Sequence, residues 1–465
     1  MDLLLGHIET SSQLLHLLSG SSNSSSQNQF IALSSSFLSS QVIEHSSVEL
    51  FSHICDILSR KPAAYPHAST AYSEFRAHKK EKQAFKNRLT TDLCLRFLAT
   101  QTDELLASIP VYYVDRLSIP YPPDNHWVYE TDDIGHQWRH DLEFGKQPDA
   151  RISRKPLHKL DFSKLQYNLD VRSNAIFRDS QTGELVGLVY RNFIGRQDIL
   201  DWAGRVIDES ISMKKSVRLE DSGLITLEGY TAGSRTCSQF GWARNLKGQL
   251  DSQMIQSQRY RASSLFALLW NVISRAIPSE VIADLDTFLE ANPIFRMDAG
   301  SEGKAAMRFS IQLGNHELDF FGRQLAPPSG AIGYNYSRHI HTERSPNRYV
   351  ISWNNRRDLG EEHGGNFYYA GYGIRVAGSG DMLFVHEPKV SHGTGLPSRI
   401  PSPEGVPYFT SGLSIILSSR LSDAWKKYCD GKINSGEFDL VLGDELEDGD
   451  AIQNEKRRES WNINS

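Results

Sequence analysis

The chain has 465 residues, 39% hydrophobic and 23% charged, with a formal charge of −6 at pH 7. This is the composition of a globular protein with a sizeable core, and the length exceeds the roughly 100–200 residues of one domain. It excludes a generally basic nucleic-acid-binding chain, so a polyanionic partner has to be held by local basic patches.

The cysteines, Cys55, Cys94, Cys237 and Cys429, form no CxxC pair. That excludes a disulfide scaffold or a structural zinc module and suits a reducing compartment. The opening MDLLLGHIET lacks the basic start and small-residue cleavage site of a signal peptide. The most apolar run, Leu265–Ile273, falls far short of the roughly 20 residues a membrane span needs. An intracellular protein, cytoplasmic or nuclear and without a membrane partner, is expected.

Residues 1–48 are serine-rich, which predicts a flexible arm carrying one short helix. Residues 49–110 place apolar side chains at helical spacing, as in VELFSHICDILSR and in KNRLTTDLCLRFLATQTDELLASI, which Pro110 ends. The basic run Arg76–Arg88 lies on this helical region, and RISRKPLHK follows at 151–159. Both read as solvated faces before they read as phosphate tracks.

Residues 111–292 form a mixed α/β leading region that packs on the core. It holds a strand in GELVGLVYRNFI and helices in RQDILDWAGRVIDESI, SQRYRASSLFALLWNVISRAI and PSEVIADLDTFLEAN. Over 293–422 the chain turns to short strands split by Gly, Pro and Asn: FRMDAG, RFSIQL, YVISW, NFYYAGYGIRVA, DMLFVH and YFTSGLSIIL. That texture predicts a β-sandwich or barrel. Residues 423–465 are a short helix and an acidic tail. The fold class expected is α+β.

Within the β region, YNYSRHIHTERSPNRY holds His341 and Glu343 two residues apart. On an extended chain that spacing puts both side chains on one face, where both can meet one ion. Iron(II) oxygenases use two histidines and one carboxylate on one side of the metal and leave the other side open. His392 in EPKVSHGTG is the candidate for the second histidine. Between them lie Gly364–Gly365 and Gly380–Asp381, read as turns that carry the chain out and back.

His339 shares strand parity with His341 and reads as a wall of the site. HEPKVSH is no zinc-protease helix, because Pro388 disrupts a helix and the spacing is not HExxH. The glycine-rich run is no dinucleotide fingerprint, since neither its order nor a following helix fits. Trp353, Tyr334, Tyr336 and Tyr408 are aromatic residues first of the core and second of a pocket.

The ordered series HxE, GG, GD and H, over about 333–419, resembles the double-stranded β-helix (jelly roll) of the iron(II)/2-oxoglutarate-dependent oxygenases. Within them it is most similar to the branch of the TET and base-J-binding-protein oxygenases and their fungal relatives. The resemblance implies a C-terminal jelly roll with flanking helices and an N-terminal helical region. It implies Fe(II) held by His341, Glu343 and His392, with 2-oxoglutarate and dioxygen as cosubstrates.

Two positions depart from the family pattern. Glu343 stands where that branch has Asp. On the last core strand the family's RxS aligns with Gly412-Leu413-Ser414, so the serine is present and the arginine is missing. The cosubstrate's far carboxylate still needs a cation, preferably a bidentate one. Arg399 and Arg375 are the candidates, with Arg356 third, and Ser414 and Tyr336 join them as cosubstrate-binding residues. The resemblance implies oxidation of a C–H bond, in this branch of a modified pyrimidine in nucleic acid. A protein side chain or small metabolite is the alternative substrate, and a non-catalytic jelly-roll scaffold the alternative function.

Overall fold

A computed structural model describes residues 1–20, 24–39, 47–96, 106–144, 154–233, 238–298, 308–400 and 409–438. The chain divides into two compact units: residues 1–96 with 314–318, and the remainder.

The first unit is helical: α1 (Asp2–Thr10), α2 (Ser12–Ser19), α3 (Ser24–Ser39), α4 (Ser47–Arg60) and α5 (Pro66–Arg96). Over the described residues 1–20 and 24–39, three helices stand where a flexible arm with one short helix was expected. Leu4, Leu5, Ile8, Leu14, Leu18 and Phe30 are buried in one core with Ile54, Leu58 and Ala68 of the later helices. Each such burial contributes about 1.5–3 kcal/mol, which serine composition alone does not register. Capping adds to it, because Ser11 Oγ accepts from Leu14 N and the Glu9 carboxylate accepts from His67 N and Ala68 N at the start of α5. Arg76, Lys79 and Lys80 on α5 are exposed, as a solvated face requires. The acidic tail from 439 lies outside the described residues.

The second unit is built on one curled fourteen-stranded sheet. The strands that matter are β1 (Val111–Val114), β2 (Tyr167–Leu169), β3 (Ala175–Asp179), β4 (Leu185–Arg191), β5 (Ser222–Gly233) and β6 (Ser329–His341). They are followed by β7 (Val350–Arg357), β8 (Phe367–Tyr369), β9 (Ile374–Val376), β10 (Met382–His386), β11 (His392–Thr394) and β12 (Thr410–Ile415). Along the sheet they run β1-β3-β4-β10-β7-β12-β6-β11-β8-β9-β2, and β5 adds to β6.

This order is a jelly roll, and β6 joins its two walls. Its first half, Gly330–Tyr334, pairs with β12, while Arg338 and His341 pair with Thr394 and His392 of β11. One strand therefore belongs to both walls. The bend falls at Asn335, which has φ 51° and whose Oδ1 accepts from Phe409 N and Thr410 N. Gly223 on β5 passes so close that a Cβ there would overlap the Asn335 carbonyl.

The turns expected at Gly364–Gly365 and Gly380–Asp381 are present. Both glycines have positive φ. Asp381 also has positive φ (49°), and its carboxylate accepts from Trp353 Nε1 and from the amides of Ile194 and Gly195. The FRMDAG segment forms no strand over 295–298. Helix α6 (Gln197–Met213) lies against β5, β6, β7 and β12, with Ile199, Trp202, Val206 and Ile207 inward. Helix α7 (Ser252–Ile273), capped by Asp251, packs on α6 and β5. The whole is an α+β jelly-roll fold. The leading region does more than pack on the core, since β4 extends one wall beside β10 and β5 extends it beside β6. Among the described residues, no helix is long and apolar enough to cross a membrane.

Candidate metal centre

The end of β6 and the start of β11 are antiparallel neighbours, with His341 directly opposite His392. Two residues beyond His341 the chain is fastened by Glu343 N donating to Pro388 O at 2.7 Å. One donor atom from each of His341, Glu343 and His392 lies within 4.8 Å of the others. The structure thus brings together the three residues that the sequence pattern singled out.

Both imidazoles are oriented by the backbone. His341 Nδ1 lies 2.7 Å from His339 O, and His392 Nδ1 lies 2.8 Å from Val390 O. A carbonyl only accepts, so each Nδ1 carries the hydrogen and each neutral ring leaves Nε2 bare. His341 Nε2 then sits 3.2 Å from Glu343 Oε1. With His341 neutral two acceptors face each other there, and either a proton on Nε2 or a metal cation between them resolves the conflict. Metal bonds of about 2.1 Å at right angles put neighbouring ligand atoms about 3 Å apart, which is close to the His341–Glu343 separation. The donor set, within 4.8 Å throughout, can hold a divalent ion.

Arginines surround the carboxylate. Arg218 Nη2 is 3.2 Å and Arg338 Nη1 3.3 Å from Glu343 Oε1. Asp221 balances them, 3.9 Å from Arg218 and 3.7 Å from Arg338, and takes the Tyr336 hydroxyl hydrogen. Burial pushes the Glu343 carboxyl up, but the hydrogen bond and charge of His341 in its protonated form, with Arg218, outweigh burial and hold it down to about 2. His341 and His392 are both held below the usual histidine range, chiefly by burial. Metal ligation needs unprotonated imidazole, so these shifts keep the donors ready.

The cluster opens on a cavity of about 180 Å³ inside the roll, with Arg338, His386, Ser352 and Ser414 also in its wall. Ser414 is hydrogen-bonded to Ser352 at 2.7 Å, and Tyr336 lines the cavity with its hydroxyl turned to Asp221. The arginines expected to serve the cosubstrate are elsewhere. Arg399 is exposed and does not line the cavity. Arg375 is buried, but Glu130 grips it with two bonds of 2.8 and 2.9 Å and Asn168 takes a third. Arg356 pairs with Asp358 on the surface. His339 lies outside the cavity lining and packs on Trp127, and its carbonyl is what orients His341.

The sequence reading missed Arg218, Asp221, Arg338, Arg357 and His386. Arg338 is three residues before His341, and a regular strand would send the two to opposite faces. A register shift between them turns both inward. Arg357 enters the cavity by the same device, a shift between Asn354 and Arg356. Its guanidinium is already occupied by the carbonyls of Leu359, Gly360, Gly364 and Gly365. A side chain such as arginine has no room at Gly412, because a Cβ there would overlap the Trp353 carbonyl oxygen.

No family model matches the chain, and no curated protein matches it. Among solved structures, NgTET1 in complex with 5mC DNA is similar at 10% identity and a TM-score of 0.31, over 70% of this chain and 97% of that one. Fold and site together define an α+β jelly-roll protein with an interior His–Glu–His cluster that can hold a metal ion.

Proposed function

We propose that the protein is an iron(II)- and 2-oxoglutarate-dependent dioxygenase. The observation that carries this reading is the convergence of His341, Glu343 and His392 within 4.8 Å on the inner face of a jelly roll. Three protein ligands on one side leave the cavity side open for further ligands. With iron(II) bound, 2-oxoglutarate and dioxygen supply the oxidation: the keto acid becomes succinate and carbon dioxide, and one oxygen atom enters the substrate C–H bond.

The chain's own residues bind, orient and neutralise. His341 and His392 present Nε2 because their Nδ1 hydrogens are committed to carbonyls. Arg218 and Arg338 keep Glu343 ionised. Arg338, Arg218, Asp221 and Glu343 sum to zero charge, so a divalent ion leaves a surplus of two. A dicarboxylate matches that surplus. Arg338 is the cavity-lining cation whose donors are not filled by backbone carbonyls, and its Nε, though buried, has no hydrogen-bond partner among the described residues. The far carboxylate of the cosubstrate is assigned to Arg338, assisted by Ser414 and Ser352.

The substrate class proposed, on the sequence resemblance, is a modified pyrimidine in nucleic acid, which in a duplex has to be flipped into the cavity. The missing strand arginine at Gly412 favours a second reading, a jelly-roll binding module without catalysis. One experiment decides: purified protein with iron(II) and 2-oxoglutarate is assayed for succinate against nucleic-acid, peptide and metabolite pools. Succinate release that His392→Ala abolishes supports the oxygenase. Failure to bind either metal or keto acid leaves the scaffold.

A further inference from the structure

The cavity beside the cluster is lined by a fourth imidazole outside the group of three. His386 ends β10, is 6% exposed and lines the same cavity. Its ring centre lies 4.6 Å from that of His392, and its other neighbours are the rings of Phe367 at 5.2 Å and Phe384 at 6.1 Å. It stands outside the group whose donor atoms share a 4.8 Å neighbourhood.

Its hydrogen bonding sets it apart from the ligands. His341 and His392 each commit Nδ1 to a carbonyl two residues upstream. His386 Nδ1 is buried and has no hydrogen-bond partner among the described residues. A buried polar nitrogen left unpaired is costly, and proteins rarely keep one without a use. Two phenyl rings hold this one in place and provide no partner.

We propose that His386 is the hydrogen-bond partner of the anionic or oxygen-donor ligand that occupies the metal's open position, a proposal that rests on the metal reading above. Its imidazole reaches that ligand from beside His392. The role is to bind and orient a ligand that the metal holds, and it needs no change in metal affinity.

The test uses the full chain loaded with cobalt(II), whose visible spectrum reports both ion and added ligand, and azide as the probe anion. His386→Phe and His386→Leu remove the nitrogen in two shapes, and His386→Gln restores a donor. Cobalt affinity is expected to stay within about twofold in all three. Azide affinity is expected to fall about tenfold in the two apolar variants and by less than about threefold in His386→Gln. Unchanged azide affinity in the apolar variants overturns the proposal. Loss of cobalt from all three also overturns it, by making His386 a ligand. If wild-type protein binds no cobalt and His392→Ala is indistinguishable from it, the metal reading itself fails, and this role falls with it.

Discussion

Arg338→Gln separates two jobs that its guanidinium can do beside Glu343. If it anchors a dicarboxylate, the substitution removes one charge-assisted partner, an effect of about 1.5–3 kcal/mol or 10- to 150-fold in affinity. The upper part of that range applies, because the residue is only 5% exposed and water does not screen it. Metal affinity should hold or tighten at the same time, since a positive charge 3.3 Å from a ligand oxygen opposes a cation. Arg218 remains 3.2 Å from Glu343, so the carboxylate keeps a partner. The assay is calorimetric titration of the metal-loaded protein with 2-oxoglutarate and with 2-oxopentanoate, which lacks the far carboxylate. Wild type should lose 10- to 150-fold on this truncation. Arg338→Gln should prefer neither acid. Additive losses, or a drop in metal affinity with keto-acid binding unchanged, would refute the assignment and make Arg338 a positioning residue for Glu343.

Other outcomes follow from the same geometry. His392→Ala removes one of the three proposed ligands, so the upward shift of the melting temperature expected from iron(II) or cobalt(II) in wild type should vanish; a retained shift places the metal elsewhere. Burial holds His339, His341, His386 and His392 below the ordinary value of 6.5. The unfolded chain takes up these protons first as pH falls. Metal-free stability should therefore be full above about pH 6.5 and fall below it by up to about 1.4 kcal/mol per pH unit for each histidine. Urea melts at pH 7.5 and 5.5 check this, and equal midpoints contradict it. Lys214 and Glu228 form an ion pair 1% and 0% exposed, with Nζ 2.6 Å from Oε2. Lys214→Met should cost about 3–5 kcal/mol in chemical denaturation, and Lys214→Met with Glu228→Leu should recover most of it. A single variant as stable as wild type would mean that water reaches the pair.

The helices at Ser47–Arg60, Gln197–Met213, Ser252–Ile273 and Ser279–Ala291 were legible because apolar spacing records the side each helix buries. The strand Leu185–Arg191 and most core strands were legible from β-branched and aromatic runs between turn residues. The helices at 2–39 were not, because serine frequency masked a leucine pattern whose value depends on α4 and α5 closing over it. The arginine candidates failed for a related reason. Arg375 and Arg399 are close to the motif in sequence, but Glu130, from far upstream, claims Arg375, and the surface claims Arg399.

The sequence by itself determined the candidate ligand set. His341 and Glu343 share a face because extended chain repeats every two residues, and His392 follows turns that glycine and Asp381 make possible. Tertiary structure alone decided what surrounds them. Register shifts in β6 and β7 turned Arg338 and Arg357 inward against strand parity. The close passage of β7 excluded a side chain at Gly412. Folding also placed His386 beside His392 with a nitrogen left to give. Local periodicity encodes which face a residue takes, whereas bulges, strand spacing and long-range pairing determine which charges that face meets.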